Sequence, residues 1–318
     1  MTVASEWAGV LGFIFGGCCS NAFALESLVR AVPKSGNLIT FAQFLFITMV
    51  GLPSNMDGWW RLKPRKVPVG QWAIMVVLYF CVSILNNAAL GFDISIPLHI
   101  VFRSSGLIAN MACGYVFMGK RYPRMQVLSV VMVTLGVVVA TQAGVADARQ
   151  EGSSLVGIGL LTLGVFFAAM LGLYQERIYS KYGKHWQEGL FYSHLLALPM
   201  FALFWSDIAQ QARELTRSEP VPVAGVAIPY LWLSLAVNML SQLACASGVH
   251  RMTSMSSSLT LNVVLNLRKL SSLVISVVYF RNPITPAMAL GCALVFLGTF
   301  TYARISQHMR KEAKRKHE

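Results

Sequence analysis

Ten stretches of roughly twenty mainly apolar residues follow one another along this 318-residue chain, joined by short connections. They lie near 6–29, 37–59, 71–90, 95–118, 123–143, 155–176, 187–206, 223–248, 256–280 and 284–304. A helix needs ~20 apolar residues to cross a bilayer. Within lipid every backbone N–H and C=O has to find its partner inside the protein, which leaves helices or closed barrels. Barrel strands are about ten residues long and alternate in polarity, so ten transmembrane helices are predicted. Composition agrees: 12% of residues are charged, against about 25% in soluble domains. The first stretch lacks a basic leader and a small-residue cleavage site, so it is expected to be retained.

The net charge of +13 raises the question of nucleic acid, but its distribution argues for orientation instead. Most Lys and Arg fall in the connections 60–70, 119–124, 177–186 and 249–255 and in the basic end. The positive-inside rule then places both termini in the cytosol, with anionic membrane lipid as a partner and no nucleic-acid role. Two polar interruptions stand out, 144–154 and 207–222. The first divides the chain five and five, as expected for an inverted repeat. The predicted organisation is a first five-helix repeat at 1–144, a connecting loop at 145–154, a second repeat at 155–306 and a basic cytosolic tail at 307–318. Weak self-similarity agrees. Arg103, an aromatic pair, Pro123 and Leu135-Gly136 in one half match Lys269, Tyr279-Phe280, Pro283 and Leu297-Gly298 in the other.

Three cations, Arg103, Arg268 and Lys269, lie inside predicted spans. Each costs ~2.5–3.5 kcal/mol at the bilayer centre and calls for a wet cavity or an anionic partner. Pseudo-symmetry sets Arg103 and Lys269 across one cavity from each other. Glu26 is the clear acidic candidate within a span. It either pairs with one of these cations or makes a plain structural salt bridge. An external anion is therefore expected, and the Arg fork with a Lys point charge suits phosphate. A polar set that includes Asn21, Gln43, Asn87, Tyr192, Ser193, His194 and Asn266 offers hydrogen bonds to a base or sugar, with Phe191 able to stack. The alternative reading of these amides is helix–helix bonding.

Enzymatic constellations are missing: no Walker A sequence, no G-x-S-x-G and no H-E-x-x-H. No metal-ligand spacing occurs among the six cysteines (Cys18, Cys19, Cys81, Cys113, Cys245, Cys292), all within predicted spans. They read as small packing residues, and no cofactor or metal is expected. Glycines such as Gly9, Gly12, Gly16, Gly17, Gly157, Gly159 and Gly164 read as points of close helix approach. Lys314 and Lys316, fifth and third from the end, form a dilysine pattern that implies coat proteins as readers and retrieval to the endoplasmic reticulum.

The runs Cys18-Cys19-Ser20-Asn21, Asn37 to Phe46, Pro97 to Ser104 and Leu267-Arg268-Lys269 resemble the nucleotide-sugar transporter family of solute carriers, nearest its UDP-xylose/UDP-N-acetylglucosamine subgroup. That resemblance implies ten helices in two inverted five-helix repeats and antiport of cytosolic UDP-sugar against UMP. Phe191-Tyr192-Ser193-His194 is similar to the base-reading F-Y-N-N stretch of GDP-mannose carriers, with Ser and His in place of two Asn. Asn266-Leu267-Arg268-Lys269 is similar to their G-A-L-N-K, so Lys269 takes the phosphate-side role.

The reading reached from sequence is an all-α membrane antiporter of endoplasmic reticulum or Golgi. It handles UDP-N-acetylglucosamine and/or UDP-xylose against UMP, and homo-oligomerisation is left open. Arg103, Arg268 and Lys269 hold phosphates. Asn21, Gln43, Asn87, Phe191 to His194 and Asn266 line the base or sugar side. The rivals are a membrane-embedded transferase using a nucleotide-activated donor, a carrier of another phosphorylated metabolite, and a non-transporting scaffold.

Overall fold

The protein is described from a computed structural model covering residues 3–58, 61–92, 94, 99, 102–103, 105–119, 121–147, 154–223, 225–255, 261, 264–265, 267–268, 271, 274–275, 277–281 and 284–315. Its helices are α1 (Val3–Gly12), α2 (Cys18–Ala31), α3 (Gly36–Asn55), α4 (Val69–Leu90), α5 (Gly106–Met118), α6 (Arg124–Asp147), α7 (Ser154–Tyr182), α8 (Trp186–Leu195), α9 (Trp205–Thr216), α10 (Tyr230–Met255) and α11 (Pro286–Arg315). A π-helical turn, Phe13–Gly17, joins α1 to α2. Among the described residues, seven helical segments are long and apolar enough to cross a membrane. They coincide with the first three expected spans and with the sixth, seventh, eighth and tenth. The fourth and fifth correspond to shorter apolar helices, Gly106–Phe117 and Arg124–Ala140. Most of the ninth, 256–280, lies outside the described residues.

The chain forms two compact units: Met1–Gly91 with Tyr174–Met255, and Phe92–Leu173 with Ser256–Glu318. Each takes segments from both sequential halves. The core of the first unit gathers Leu28, Leu38, Phe44, Phe80, Phe201 and Leu235. Helix α3 enters it tied to α9 through its first turn. The Leu38 N–H donates to Gln211 Oε1 at 3.0 Å, and Asn37 Nδ2 donates to Asp207 Oδ2 at 2.7 Å. Such partners replace the side-chain cap that Ser35 does not supply.

The seventh apolar stretch is not one straight helix. After α8 a 3-10 segment, Leu198–Phe204, carries Pro199, which has no N–H to continue an α-helix. The polar interruption at 207–222 also resolves into structure. Helix α9 buries Ile208, Gln211 and Leu215 on one face, the spacing of an amphipathic helix. Strands β1 (Pro220–Val223) and β2 (Val226–Pro229) then form an antiparallel hairpin pairing Val223 with Val226. Gly225 at φ 83° makes the two-residue turn. The expected start of the eighth span at 223 is thereby corrected to Tyr230, and with this short hairpin the all-α membrane class stands.

The cysteine reading is corrected at two positions: Cys18 and Cys245 form a disulfide between α2 and α10. Gly17 explains the approach, since a Cβ there would stand 2.7 Å from the Cys245 nitrogen. The reading of close helix approach holds at Gly17; Gly157 is crowded by Ile94 and Phe92, which lie outside any helix, and Gly9, Gly12, Gly16 and Gly159 face open space. A close crossing lies in the second unit, where α6 and α11 run antiparallel. A Cβ on Gly136 would meet the Gly291 carbonyl oxygen at 2.6 Å, and one on Gly298 would meet that of Ser129 at 2.8 Å. Ser129/Gly136 and Gly291/Gly298 share a seven-residue spacing, which brings two small positions on each helix to the same seam.

Candidate functional site

Arg103 and Arg268 both belong to the second unit. Arg103 is exposed, in a short helical piece that precedes α5. The Ser105 hydroxyl donates to the Phe102 carbonyl at 2.6 Å, closing the turn that leads into α5. A cation ahead of a helix N-terminus adds to the positive end of the helix dipole, so that locality favours an anion. Phe102 and His99 beside it are buried. Arg268 is half-buried on a helical segment whose neighbour Leu267 is exposed. Lys269 and Asn266 lie outside the described residues, as does Lys316; Lys314 falls in the last turn of α11. Glu26, the one acid singled out within a span, pairs with Arg30 one turn on at 3.4 Å.

The remaining polar candidates belong to the first unit. Asn21 and Gln43 are brought together by a residue that sequence reasoning missed, Asn238 of α10, which is fully buried. Gln43 Nε2 donates to Asn238 Oδ1 at 2.6 Å, Asn238 Nδ2 to the Asn21 carbonyl at 3.3 Å, and Asn21 Nδ2 to the Asn238 carbonyl at 3.0 Å. One triad thus ties α2, α3 and α10. Its signal was available as a lone amide in the apolar run 231–240. Asn87 is a separate joint, donating to Thr40 Oγ1 at 2.8 Å and to the Gly36 carbonyl at 3.0 Å.

Phe191, Tyr192, Ser193 and His194 are consecutive on α8 and all buried. Phe191 packs edge-on to Tyr192 and approaches Gly51. The His194 ring lies 4.7 Å from that of Phe44 and 5.5 Å from that of Tyr79. Its Nδ1 is 2.7 Å from the Leu190 carbonyl oxygen. A carbonyl only accepts, so Nδ1 carries the proton and the Ser193 hydroxyl, 3.1 Å away, accepts from the same N–H. Nε2 is then an acceptor, and it has no hydrogen-bond partner among the described residues. Here the site offers one buried acceptor between two aromatic rings, suited to a ligand N–H or O–H.

Among the described residues no group of His, Cys, Asp or Glu is placed to hold a metal ion. The class defined by fold and site is a helical, multi-span membrane protein with cations within its apolar segments and buried polar joints between helices. The chain belongs to the UAA transporter family, which it matches over residues 7–306. It is 42% identical over 306 residues to the UDP-xylose and UDP-N-acetylglucosamine transporter of Danio rerio, covering 92% of each chain. It is 39% identical over 319 residues to the endoplasmic reticulum GDP-fucose transporter of Drosophila melanogaster, covering 94% of this chain and 90% of that one. A crystal structure at 16% identity shares the fold with a TM-score of 0.60, over 96% of this chain and 99% of the other. The protein is a transporter of this family and not an enzyme.

Proposed function

We propose that this protein is a nucleotide-sugar antiporter. It carries UDP-N-acetylglucosamine and/or UDP-xylose from the cytosol into the lumen of the endoplasmic reticulum or Golgi and returns UMP. The observation that carries this reading is the likeness to the Danio rerio transporter across nearly all of both chains. In this reading ten helices form two inverted five-helix repeats, 1–144 and 155–306, and work by alternating access, with both termini cytosolic. Arg103, Arg268 and Lys269 take the phosphates. Asn21, Gln43, Asn87, Phe191, Tyr192, Ser193, His194 and Asn266 form the base or sugar side. The buried acceptor on His194 supports that assignment, because uracil presents an N–H donor. Lys314 and Lys316 serve retrieval by coat proteins.

Exchange is tested by loading proteoliposomes of the purified chain with UMP and following labelled UDP-sugar. Uptake that depends on internal UMP is the expected result, and uptake equal in empty vesicles refutes antiport. The likeness to a GDP-fucose transporter makes GDP-fucose the necessary competitor. If it displaces UDP-N-acetylglucosamine and UDP-xylose and is itself the better substrate, the uridine assignment fails. Lys269→Ala is expected to lose exchange with normal expression, and wild-type rate and affinity refute its phosphate role.

A further inference from the structure

A second cationic site stands in the first unit, apart from every residue assigned to phosphate above. A cavity of about 500 Å³ opens between the connection following α3 and the start of α8. Its lining brings together Lys63, Arg65, Lys66 and Lys184 with Asp57, Glu188 and Tyr192. The cations come from two connections that the charge pattern assigns to one side of the membrane. None of the four is in an ion pair among the described residues. Lys63 Nζ spends one donor on the Ser54 carbonyl at 2.8 Å.

The connection carrying three of these cations is built into shape. Asp57 N donates to the Arg61 carbonyl at 2.7 Å and Lys63 N to that of Asn55 at 2.9 Å, around a bridge of Met56 with Leu62. Glu188 fastens the other end. It accepts from the Lys66 N–H at 2.9 Å, the Val67 N–H at 3.1 Å and Trp72 Nε1 at 3.0 Å. The Glu188 oxygens are thus taken by backbone and indole donors while its charge remains, so the lining sets four cations against two carboxylates, Asp57 and Glu188.

Two further features point the cavity at an anion. Helix α8, ten residues long, starts here with His185 at its N-cap and no side-chain cap, and with Glu188 as the acid of its first turn, so its start, the positive dipole end, lies at the lining through His185, Gln187 and Glu188. Tyr192, 4% exposed, is part of the lining. Lysines, a guanidinium, helix-start amides and one phenol together match the oxygens of phosphate.

We propose that this cavity binds a phosphate-bearing anion, either the headgroup of an acidic membrane lipid or a free phosphate such as that of a nucleotide. The proposal shares Tyr192 with the base or sugar side assigned above and otherwise uses residues outside that assignment. It is tested on the full chain in nanodiscs by lysine acetylation followed by mass spectrometry, which reads each lysine separately. Lys63, Lys66 and Lys184 are compared with Lys34 under three conditions: phosphatidylcholine alone, phosphatidylcholine with added pyrophosphate, and discs containing phosphatidylinositol 4-phosphate. The expected result is slower acetylation of the three lining lysines, with Lys34 unchanged, in at least one anionic condition. Protection by pyrophosphate alone assigns a free phosphate, protection by the lipid alone assigns a headgroup, and protection by both assigns the shared chemistry. Arg65→Glu is expected to weaken the protecting anion about tenfold, the scale of one charge-assisted contact. Equal acetylation in all three conditions overturns the proposal, as does undiminished protection in Arg65→Glu. Lys269→Ala should leave this protection intact, so failure of the transport reading is seen separately.

Discussion

Asn238→Leu is the perturbation that best separates structure from ligand reading in the polar triad. The change deletes the acceptor for Gln43 Nε2 at 2.6 Å and the donor to the Asn21 carbonyl at 3.3 Å. Gln43 is itself buried, so its amide keeps a donor with nowhere to turn. Interhelical hydrogen bonds inside membranes contribute ~0.6–2 kcal/mol each, and a stranded buried donor costs ~1–3 kcal/mol. Asn238→Leu should therefore destabilise by about 2–3 kcal/mol, and Gln43→Leu by about 1–2 kcal/mol. Replacing both partners with apolar groups leaves nothing stranded, so the double variant should lose less than the sum, with a coupling of about 1–2 kcal/mol. The assay is equilibrium unfolding of the purified variants by SDS in mixed micelles, followed by circular dichroism. Additive losses, or a neutral Asn238→Leu, would refute the argument. The double variant also isolates function: if its stability recovers while UDP-sugar affinity falls, Gln43 reads ligand as well as holding α10.

Other features give sharper single tests. Gly291→Leu should force α6 and α11 apart, because its Cβ would fall 2.6 Å from the Gly136 carbonyl oxygen; a loss of about 3 kcal/mol is expected, at the upper end of overpacking costs. Gly159→Leu meets open space and should leave the thermal midpoint unchanged; equal midpoints for both variants would contradict the crossing. Glu188→Ala strands the part-buried Val67 and Trp72 N–H donors and releases the exposed Lys66 N–H to water, so trypsin should cut residues 61–66 at least about tenfold faster, as loss of ~1.4 kcal/mol or more of local stability implies. Cleavage at the wild-type rate would refute Glu188 as the fastening. Denatured, unreduced protein should expose four thiols to maleimide, and six after reduction, given the Cys18–Cys245 bond and four free cysteines. Six without reduction would remove the disulfide.

Helix existence was legible because hydrophobic length carries it: seven of the expected spans recur among the described residues, with limits shifted by as much as ten residues at Thr216 and seven at Tyr230. Pairing was not. Nothing in the run around Cys18 announces Cys245, 227 residues away. Asn238 resembles its apolar neighbours in context, and its importance appears only when Gln43 and Asn21 arrive from other helices. The segment 207–222 misled because amphipathic helices are polar on average; the spacing of Ile208, Gln211 and Leu215 held the information. At the site, residue types could be read for the chemistry they offer. The direction each side chain faces depends on packing, as His194 shows by turning its Nδ1 to its own helix.

The length of α11 has a consequence for the basic end. Its 30 residues measure ~45 Å at 1.5 Å per residue, whereas the apolar part, Pro286–Ile305, needs 20 residues. The remaining turns form a stalk that projects ~15 Å beyond the span. The backbone at Lys314 is therefore carried at a set height, like a flag on a mast stepped against α6. Because Gly291 and Gly298 seat α11 directly on α6, any change in that seat would be carried along the helix to its basic end.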